Sequence, residues 1–494
     1  MFYKYLKDNK LEFMVNPPKF VKMLPARTHK VYLEIMKAIA AREHIIVVPD
    51  PDPDGFFSAK CWDYTFRKIG YGNYSIVKLT HRVHKVDPFL VKQFFTEGPQ
   101  SIIVVDSSTN DLDLIDMLCH YVERLIIVDH HECPYTMDKY PSKCTVVNPC
   151  MEASWLPYRG FSAGALNSLV CDYILTQCGF QDNQELYVYG YITLYSDQCT
   201  LENHMTVSYM RRMLKDDNTV PQIISFFWDQ YSSITRNWVN FKVVPIINAM
   251  IRCGRFDLID KLFFRLHEVD SWEQFREEIL GVQKESRRRL EFLMNAMEIT
   301  NTESIVIGIV PGNLDPLYYN FNGLVAQKLA TEYGKPSLCL HFNEDTKDYT
   351  GSARDPLGRD LLKETSTFIE AAGHDAAFGV RIPANKLTIL PEFLCQVELE
   401  EKNKYIIFEY ADLTSSREIQ DIAIYNEYAG FELPKVRIRC RLSGDFRIRG
   451  SERKSIATSN SLTIVRFGEM LVRYEEVIAE PSFNGDSIEC VVRE

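Results

Sequence analysis

The sequence is poor in histidine, with 11 among 494 residues, and none of its 13 cysteines forms a CxxC pair. Scattered thiols of odd number exclude a zinc knuckle and argue against a disulfide framework, so they read as buried thiols in a reducing compartment. No apolar run approaches the length needed to span a bilayer, and the opening MFYKYLKDNKLEF interleaves charge with apolar residues. Internal repeats and low-complexity stretches are missing as well. The expectation is a soluble, cytoplasmic protein with no membrane partner. Basic residues number 56 against 67 acidic ones, for a formal charge of -11. That balance excludes a chain coated in positive charge for duplex binding, while leaving room for a local basic groove.

A hydrophobic content of 46% over this length allows several cores, and two to four domains is the natural expectation. Between residues 30 and 200, short apolar runs alternate with amphipathic stretches. HIIVVPD (44–50), QSIIVVDSS (100–108) and RLIIVDHHE (124–132) each read as a buried β-branched strand ending in acidic or histidine residues. Helices over 56–69 and 87–97 separate them, which predicts a mostly parallel sheet with helices on both faces. Ligands of such sheets sit at the carboxyl ends of the strands. Residues 160–300 read as helical, with 286–297 a connecting helix. A second alternating block runs from Ser304 to about Pro383, with a strand at 305–310, a helix at 321–334 and a strand at 336–342. From about residue 390 onward, closely spaced strand and turn signals predict a small all-β domain.

The run Asp50-Pro51-Asp52-Pro53-Asp54-Gly55 places three carboxylates at alternating positions directly after a strand. The prolines keep it out of mid-helix and central strand. Carboxylates this close repel one another unless cations compensate, and hard divalent ions prefer such oxygen ligands. An acidic surface loop or a helix N-cap is the plainer alternative. Asp106 ends the second strand and Asp129-His130-His131 ends the third. Adjacent histidines can face a metal and a substrate phosphate respectively, with an acid orienting the ring. Three such ends on neighbouring strands point to one site of carboxylate and imidazole ligands. That donor set suits Mn²⁺ or Mg²⁺ rather than zinc, and no thiol is expected to take part.

These residues resemble the motifs of the DHH phosphoesterase superfamily and, within it, the RecJ-like single-strand-specific exonucleases. The Asp50–Gly55 run resembles the first motif, Asp106 with Ser107 and Ser108 the second, and Asp129-His130-His131 the third. Asp197 in ITLYSDQCTLEN (192–203) resembles the fourth, preceded by the helix-like GFSAGALNSLV (160–170). FKVVPIINAMIR (241–252) resembles the segment of form P-x-x-N-A-A-G-R. GLVAQKLATEYGKPSLCL, GSAR (351–354) and AAGHDAAFGV (371–380) resemble the DHHA1 substrate-binding domain. The resemblance covers about residues 40–385. It departs from the family at Ile251, Asp355 and Ala372 and in the Asp-Ser-Ser form of the second motif, which touches substrate choice and no metal ligand.

The resemblance implies an α/β fold in four parts: a DHH catalytic domain with a mostly parallel sheet (1–215), a helical connector (216–300), a smaller α/β DHHA1 domain (301–388) and a C-terminal β-rich, OB-like nucleic-acid-binding domain (389–494). It implies two ions, Mn²⁺ or Mg²⁺, held by Asp52, Asp54, Asp106, His130 and Asp197, with Asp50 as a further ligand or a neighbour of the ligands. Asp106, Asp129, His130 and His131 form the implied catalytic set. Arg82, Asn248, Arg252, Ser352, Arg354, Gly373 and His374 are the implied substrate contacts.

Lys435, Arg437, Arg439 and Arg441 alternate with apolar residues, which puts them on one face of a strand. The turn 443–445 and Arg447 and Arg449 then predict a cationic hairpin suited to phosphates, or else a solvated face paired to Glu neighbours. The expected activity is metal-dependent hydrolysis of single-stranded DNA, from 5′ to 3′ with release of mononucleotides, in repair, recombination or replication. A phosphodiesterase for short oligonucleotides or cyclic dinucleotides is the alternative, and a catalytically dead scaffold is disfavoured by the intact ligand positions. The expected partner is single-stranded nucleic acid, DNA before RNA; a single-strand-binding protein or helicase is left unassigned.

Overall fold

The structure, a computed structural model, describes the chain apart from residues 18–26, 83–85, 152–159, 198, 200, 202, 214–220, 228–233, 313, 357–358, 360, 375, 397–404, 410–415, 430–432, 443–445, 459–461, 485–486 and 494. It divides into two compact units. One comprises Met1–Ile247, Ile259–Asp270 and Lys404–Glu494; the other comprises Asn248–Leu258 and Ser271–Asn403. No helix among the described residues is long and apolar enough to cross a membrane.

The first unit is built on five parallel strands, β1 (His44–Val48), β2 (Tyr74–Ile76), β3 (Gln100–Val105), β4 (Arg124–Val128) and β5 (Cys144–Val147), in the order β2-β1-β3-β4-β5. The β-branched runs seen in the sequence are buried on both faces, as a parallel sheet requires. Ile46, Val48, Ile102, Val104, Leu125 and Ile127 share one face with Leu114, Ile115 and Leu118 of the Leu112–Tyr121 helix. The Thr28–Ala40, Pro53–Ile69 and Ala163–Gln177 helices also pack on the sheet and add nothing to that cluster, so they cover the other face. The helix expected over 87–97 is confined to Pro88–Lys92.

In the second unit, β6 (Glu298–Asn301), β7 (Val306–Val310), β8 (Ser337–Asn343), β9 (Asp348–Arg354), β10 (Glu370–His374) and β11 (Ala377–Pro383) form one sheet in the order β10-β11-β9-β8-β7-β6. Among the described residues of this sheet only β7 and β8 pair in parallel, and the Asn322–Tyr333 helix supplies the crossover that parallel pairing needs. The long helix Trp272–Ala296, capped by the Ser271 side chain, belongs to this unit.

The C-terminal part departs from the expected all-β domain. Its seven strands are β12 (Tyr405–Glu409), β13 (Lys435–Arg441), β14 (Arg447–Ser451), β15 (Lys454–Thr458), β16 (Thr463–Phe467), β17 (Glu476–Asn484) and β18 (Ser487–Val492). They are joined by a helix, Ser416–Tyr428, that packs on β13 and β17. Ile419, Ile422, Ala423 and Tyr425 recur at helical spacing and are buried, and the parallel pairing of β12 with β13 requires such a crossover. The basic stripe also differs from a hairpin. β13 lies between β12 and β17, whereas β14 pairs with β15 at the far edge, in the order β12-β13-β17-β18-β16-β15-β14. The expected turn at 443–445 lies outside the described residues.

This sheet is knitted into the first unit. Arg236 Nη1 donates to the carbonyls of Asn426, Glu427 and Ala429, and the Arg236 amide donates to Glu427 Oε2 at 3.0 Å. Phe2 and Tyr5 of the N-terminal helix meet Phe408 and Tyr425 edge-on. These contacts account for the grouping of Lys404–Glu494 with the parallel sheet.

Candidate metal centre

Strands β1, β3 and β4 lie side by side and in parallel, so the residues that follow them emerge at one sheet edge. Asp52 caps the Pro53–Ile69 helix, its Oδ1 accepting the Gly55 N–H at 2.9 Å. Both the capping reading and the ligand reading of the acidic run therefore bear on Asp52, since a carboxylate has a second oxygen to offer. Gly55 is needed for closeness: a Cβ there would lie 2.4 Å from the Asp50 carbonyl oxygen.

Asp54, in the first turn of that helix, is buried and turned toward the start of the Ala163–Gln177 helix. Its Oδ2 accepts the Ala163 N–H at 2.9 Å and its Oδ1 the Gly164 N–H at 2.7 Å. The free N–H groups of a helix start favour an anionic partner. Gly164 again allows the approach, because a Cβ would lie 2.9 Å from Asp54 Oδ1 and 2.5 Å from the Thr193 side chain. The sequence pattern placed this helix without assigning it a role at the site; the small residues Ser162-Ala163-Gly164 were the available signal.

Asp106 leaves β3 with φ at +65°, and Ser108 follows at +71°. Such values are costly for residues with a Cβ and persist where surrounding contacts dictate them, commonly at functional sites. Asp197 directly follows the Gln184–Ser196 helix, its N–H donating to the Thr193 carbonyl at 3.0 Å. His130 Nε2 lies 3.4 Å from Asp197 Oδ2, 3.5 Å from Asp106 Oδ1 and 3.9 Å from Asp54 Oδ2.

Asp129 plays a different part. Its Oδ1 accepts the His130 N–H at 2.7 Å, the His131 N–H at 3.2 Å and His131 Nδ1 at 2.7 Å. Its Oδ2 accepts the Thr109 N–H at 3.2 Å and Thr109 Oγ1 at 2.5 Å. Asn148 steadies this arrangement, donating from Nδ2 to Thr109 Oγ1 and to the His131 carbonyl. With its oxygens so engaged, Asp129 orients His131. Neither Thr109 nor Asn148 stood out in the sequence.

Three sets of side chains bring their donor atoms within 4.8 Å of one another: Asp50, Asp52 and Asp106; Asp106, His130 and His131; and His130, Asp197 and Cys199. The last set includes a thiol, which the sequence reading left out of the site. Cys199 Sγ donates to Asp197 Oδ2 across 3.3 Å. The two residues lie two positions apart in sequence.

The electrostatics are those of crowded anions. Burial, and then the charges of Asp197 and Asp52, push the Asp54 carboxyl well above its ordinary value. Burial, followed by Asp54, Asp52, Asp50 and Asp197, does the same to Asp106. Burial works against charge on Asp129 and His131 as well, yet their mutual attraction prevails. Asp129 is held well below the usual carboxylate range, and His131 is pushed up to about 10. Asp106 Oδ1 is buried and has no hydrogen-bond partner among the described residues. Carboxylates in excess, one imidazole and an unsatisfied buried oxygen fit divalent cations, which would return the carboxyls to their charged state.

No family model matches the chain. It is 22% identical over 378 residues to the single-stranded-DNA-specific exonuclease RecJ of Bacillus subtilis, covering 74% of this chain and 46% of that protein. It is 24% identical over 374 residues to a putative prophage-derived single-strand DNA-specific exonuclease, YorK, of the same organism, covering 68% of this chain and 60% of that one. The crystal structure of RecJ from Thermus thermophilus in complex with Mn²⁺ superposes with a TM-score of 0.70 at 14% identity, covering 99% of this chain and 74% of that chain. These likenesses support the resemblance to RecJ-like proteins of the DHH/DHHA1 superfamily, and the chain shares the fold of the Thermus thermophilus protein. It spans roughly half the length of the curated relatives it matches, 46% and 60%.

The remaining predicted residues fall in several places. Arg82 is exposed and within electrostatic reach of Asp52 and Asp50. Asn248 and Arg252 lie on the Val244–Arg252 helix, and the Arg252 carbonyl accepts Asn320 Nδ2 at 3.3 Å. Ser352 and Arg354 lie on β9. Ser352 lines an open cavity of about 520 Å³ together with Tyr319, Asn322, His341 and Thr350. Gly373, with φ at +144°, is in β10, and His374 closes the β10–β11 pairing opposite Ala377; its side chain lies outside the described part. On β13, Lys435 pairs with Glu480 at 2.8 Å, Arg437 stacks on Tyr405 at 3.7 Å, and Arg439 pairs with Glu409 at 3.3 Å. Arg441 Nε donates to the Tyr474 carbonyl. Arg447 and Arg449 on β14 are exposed, without an ion pair among the described residues.

Proposed function

We propose that the chain hydrolyses phosphodiester bonds of single-stranded DNA in a metal-dependent reaction running from the 5′ end and releasing mononucleotides. The observation that carries this reading is the buried Asp106 Oδ1, which lacks a hydrogen-bond partner among the described residues while facing His130 Nε2 at 3.5 Å within a cluster of carboxylates. Asp50, Asp52, Asp54, Asp106, His130 and Asp197 would hold two ions, Mn²⁺ or Mg²⁺. When bound, such ions acidify water and neutralise charge on a phosphoryl group.

His131 is the residue through which the protein itself meets the phosphate. Its side chain is 46% exposed, and Asp129 keeps the ring protonated and fixes its direction through Nδ1, leaving Nε2 to donate to a phosphoryl oxygen. The helix start at Ala163 and Gly164 holds Asp54 in place as the neighbouring carboxylates repel it. Arg82, Asn248, Arg252, Ser352, Arg354, Gly373 and His374 are proposed to grip the nucleotides around the cleaved bond. Arg447 and Arg449 are proposed to follow the polymer backbone. Cysteines scattered without a CxxC pair support action in a reducing compartment such as the cytoplasm.

The test is to incubate the full chain with Mn²⁺ and end-labelled single-stranded DNA and RNA, each with and without a 5′ phosphate. Mononucleotides released from the 5′ end of DNA are expected. Absence of hydrolysis of either polymer, or turnover confined to dinucleotides, would overturn the reading.

A further inference from the structure

The open cavity beside Ser352 lies on one face of the second unit's sheet, and the strand register tells which residues share that face. His341 of β8 stands opposite Thr350 of β9, which stands opposite Arg381 of β11 and then Glu370 of β10. The next row on the same face runs Ser352, Gly379 and Ala372, of which Gly379 and Ala372 are exposed. Leu338, Leu340, Ala353, Phe378 and Val380 alternate with them and face the core. Tyr319, from the short helix Pro316–Phe321, stacks on His341 with ring centroids 3.8 Å apart and planes 5° apart. Asn322 Nδ2 donates to His341 Nδ1 at 3.0 Å, so the ring proton sits on Nε2 and is donated to Thr350 Oγ1 at 2.9 Å. Burial lowers the His341 pKa, which keeps the ring in this neutral form. Thr350 then has its own hydroxyl proton left to give.

Charge decides what the cavity can hold. Of its lining residues only Glu370 and Arg381 are charged. Arg381 is taken by Asp348 at 2.8 Å, with Glu370 Oε2 a further 3.6 Å from its Nη1. A phosphate would meet no uncommitted cation among the described lining residues, whereas an uncharged ring with polar edges meets an aromatic pair and two hydroxyls. Resting on the reading that the chain acts on single-stranded DNA, we infer that this cavity takes one unpaired nucleobase of the strand. Tyr319 and His341 form its stacking surface, and Thr350 and Ser352 meet the edge of the base. The cavity, at about 520 Å³, has the size of a small-ligand site. The hydrogen bonds at both nitrogens of His341 fix the imidazole before the base arrives, which lowers the ordering cost of stacking. A histidine and tyrosine packed for stability alone would leave binding indifferent to the presence of any one base.

The test is equilibrium binding of the full chain, with EDTA present to prevent cleavage, to short single-stranded DNA oligonucleotides carrying one abasic site moved stepwise along the strand. One position is expected at which loss of the base weakens binding by about 5- to 150-fold, the scale of a lost stacking contact. Tyr319→Phe should keep that penalty. Tyr319→Leu, which retains bulk without an aromatic face, should abolish it. Thr350→Val should reduce it, and decides the matter if the leucine variant fails to fold. A wild type with no sensitive position, or a penalty that Tyr319→Leu leaves intact, overturns the inference. Hydrolysis by the wild type is followed separately with Mn²⁺. Hydrolysis without a base-sensitive position removes the base pocket and leaves the reading of the reaction. A Tyr319-dependent position without hydrolysis removes that reading and leaves the pocket.

Discussion

His131 Nδ1 donates to Asp129 Oδ1 across 2.7 Å, while the ring of His130, only 4.7 Å away by centroid, turns its Nε2 toward Asp54, Asp106 and Asp197. Two adjacent histidines thus do different work, and Asp129 decides which is which. Asp129→Asn removes the charge that holds the His131 proton while keeping an oxygen for the hydrogen bonds. Turnover is expected to fall by about 10- to 100-fold, the scale of losses from groups that orient a site, whereas Asp106→Asn should leave no measurable hydrolysis. Paired Mn²⁺-binding and rate measurements check this. Equal losses of ion binding in both variants would mean that Asp129 is itself a ligand.

Gly55→Ala tests the packing beneath the cluster. The added Cβ would meet Asp50 backbone atoms at 2.4, 2.6 and 2.8 Å, and backbone yields less readily than a side-chain tip. The loop carrying Asp50 and Asp52 must then shift. A stability loss of about 1–3 kcal/mol is expected, together with weakened Mn²⁺ binding. Chemical denaturation and ion titration report the two effects separately. Unchanged ion affinity in a destabilised variant would show that the loop can move without disturbing its carboxylates.

The cluster was legible because its residues sit at strand ends, where the alternation of apolar runs announces both the strand and its terminus. Asp50, Asp52, Asp106 and His130 needed only the order of β1, β3 and β4 to converge, whereas Asp197 follows a helix and was marked by the resemblance to the fourth motif. Cys199 was not singled out, since nothing in its local sequence marks it as a donor. Asn148 and the Ala163–Gly164 N–H groups were hidden for a like reason: they act through tertiary contacts of residue types that are ordinary at helix starts and in loops. In the C-terminal part, period-two alternation identified β13 correctly as a strand, but its neighbours decide what the basic side chains do. Glu480, Glu409 and Tyr405 come from strands remote in sequence, and no local pattern says that they lie alongside.

That placement separates the basic residues into two classes with different readouts. Arg439 is paired with Glu409 and Arg437 is stacked on Tyr405, whereas Arg447 and Arg449 stand exposed on β14. Replacing Arg447 and Arg449 by Ala should weaken single-stranded DNA binding and reduce the slope of log affinity against log salt by about 1.4, at about 0.7 for each phosphate left without its arginine. Arg437→Ala with Arg439→Ala should alter the slope little and the stability more. Binding titrations over a range of salt decide the matter; a matching slope change in both double variants would refute the division.

Glu480 gives the last prediction, which concerns acid. It is 5% exposed and meets Lys435 at 2.8 Å, with Arg493 at 3.5 Å and Arg437 at 3.9 Å. Burial raises its pKa, but the surrounding cations outweigh burial and hold it below 4.5. The unfolded chain therefore binds more protons than the folded one between that depressed value and 4.5, so stability rises with pH across this window and is lost as pH falls through it. Lys435 is lowered from 10.5, chiefly by burial, and adds a rise in stability with pH only in its own alkaline window. Glu480→Gln should flatten the acid limb of the unfolding midpoint. At neutral pH it should cost about 1–3 kcal/mol, because it leaves the half-buried Lys435 beside a neutral partner. Denaturant unfolding across the acid range measures both, and an acid limb unchanged in Glu480→Gln would assign the acid sensitivity to other carboxylates.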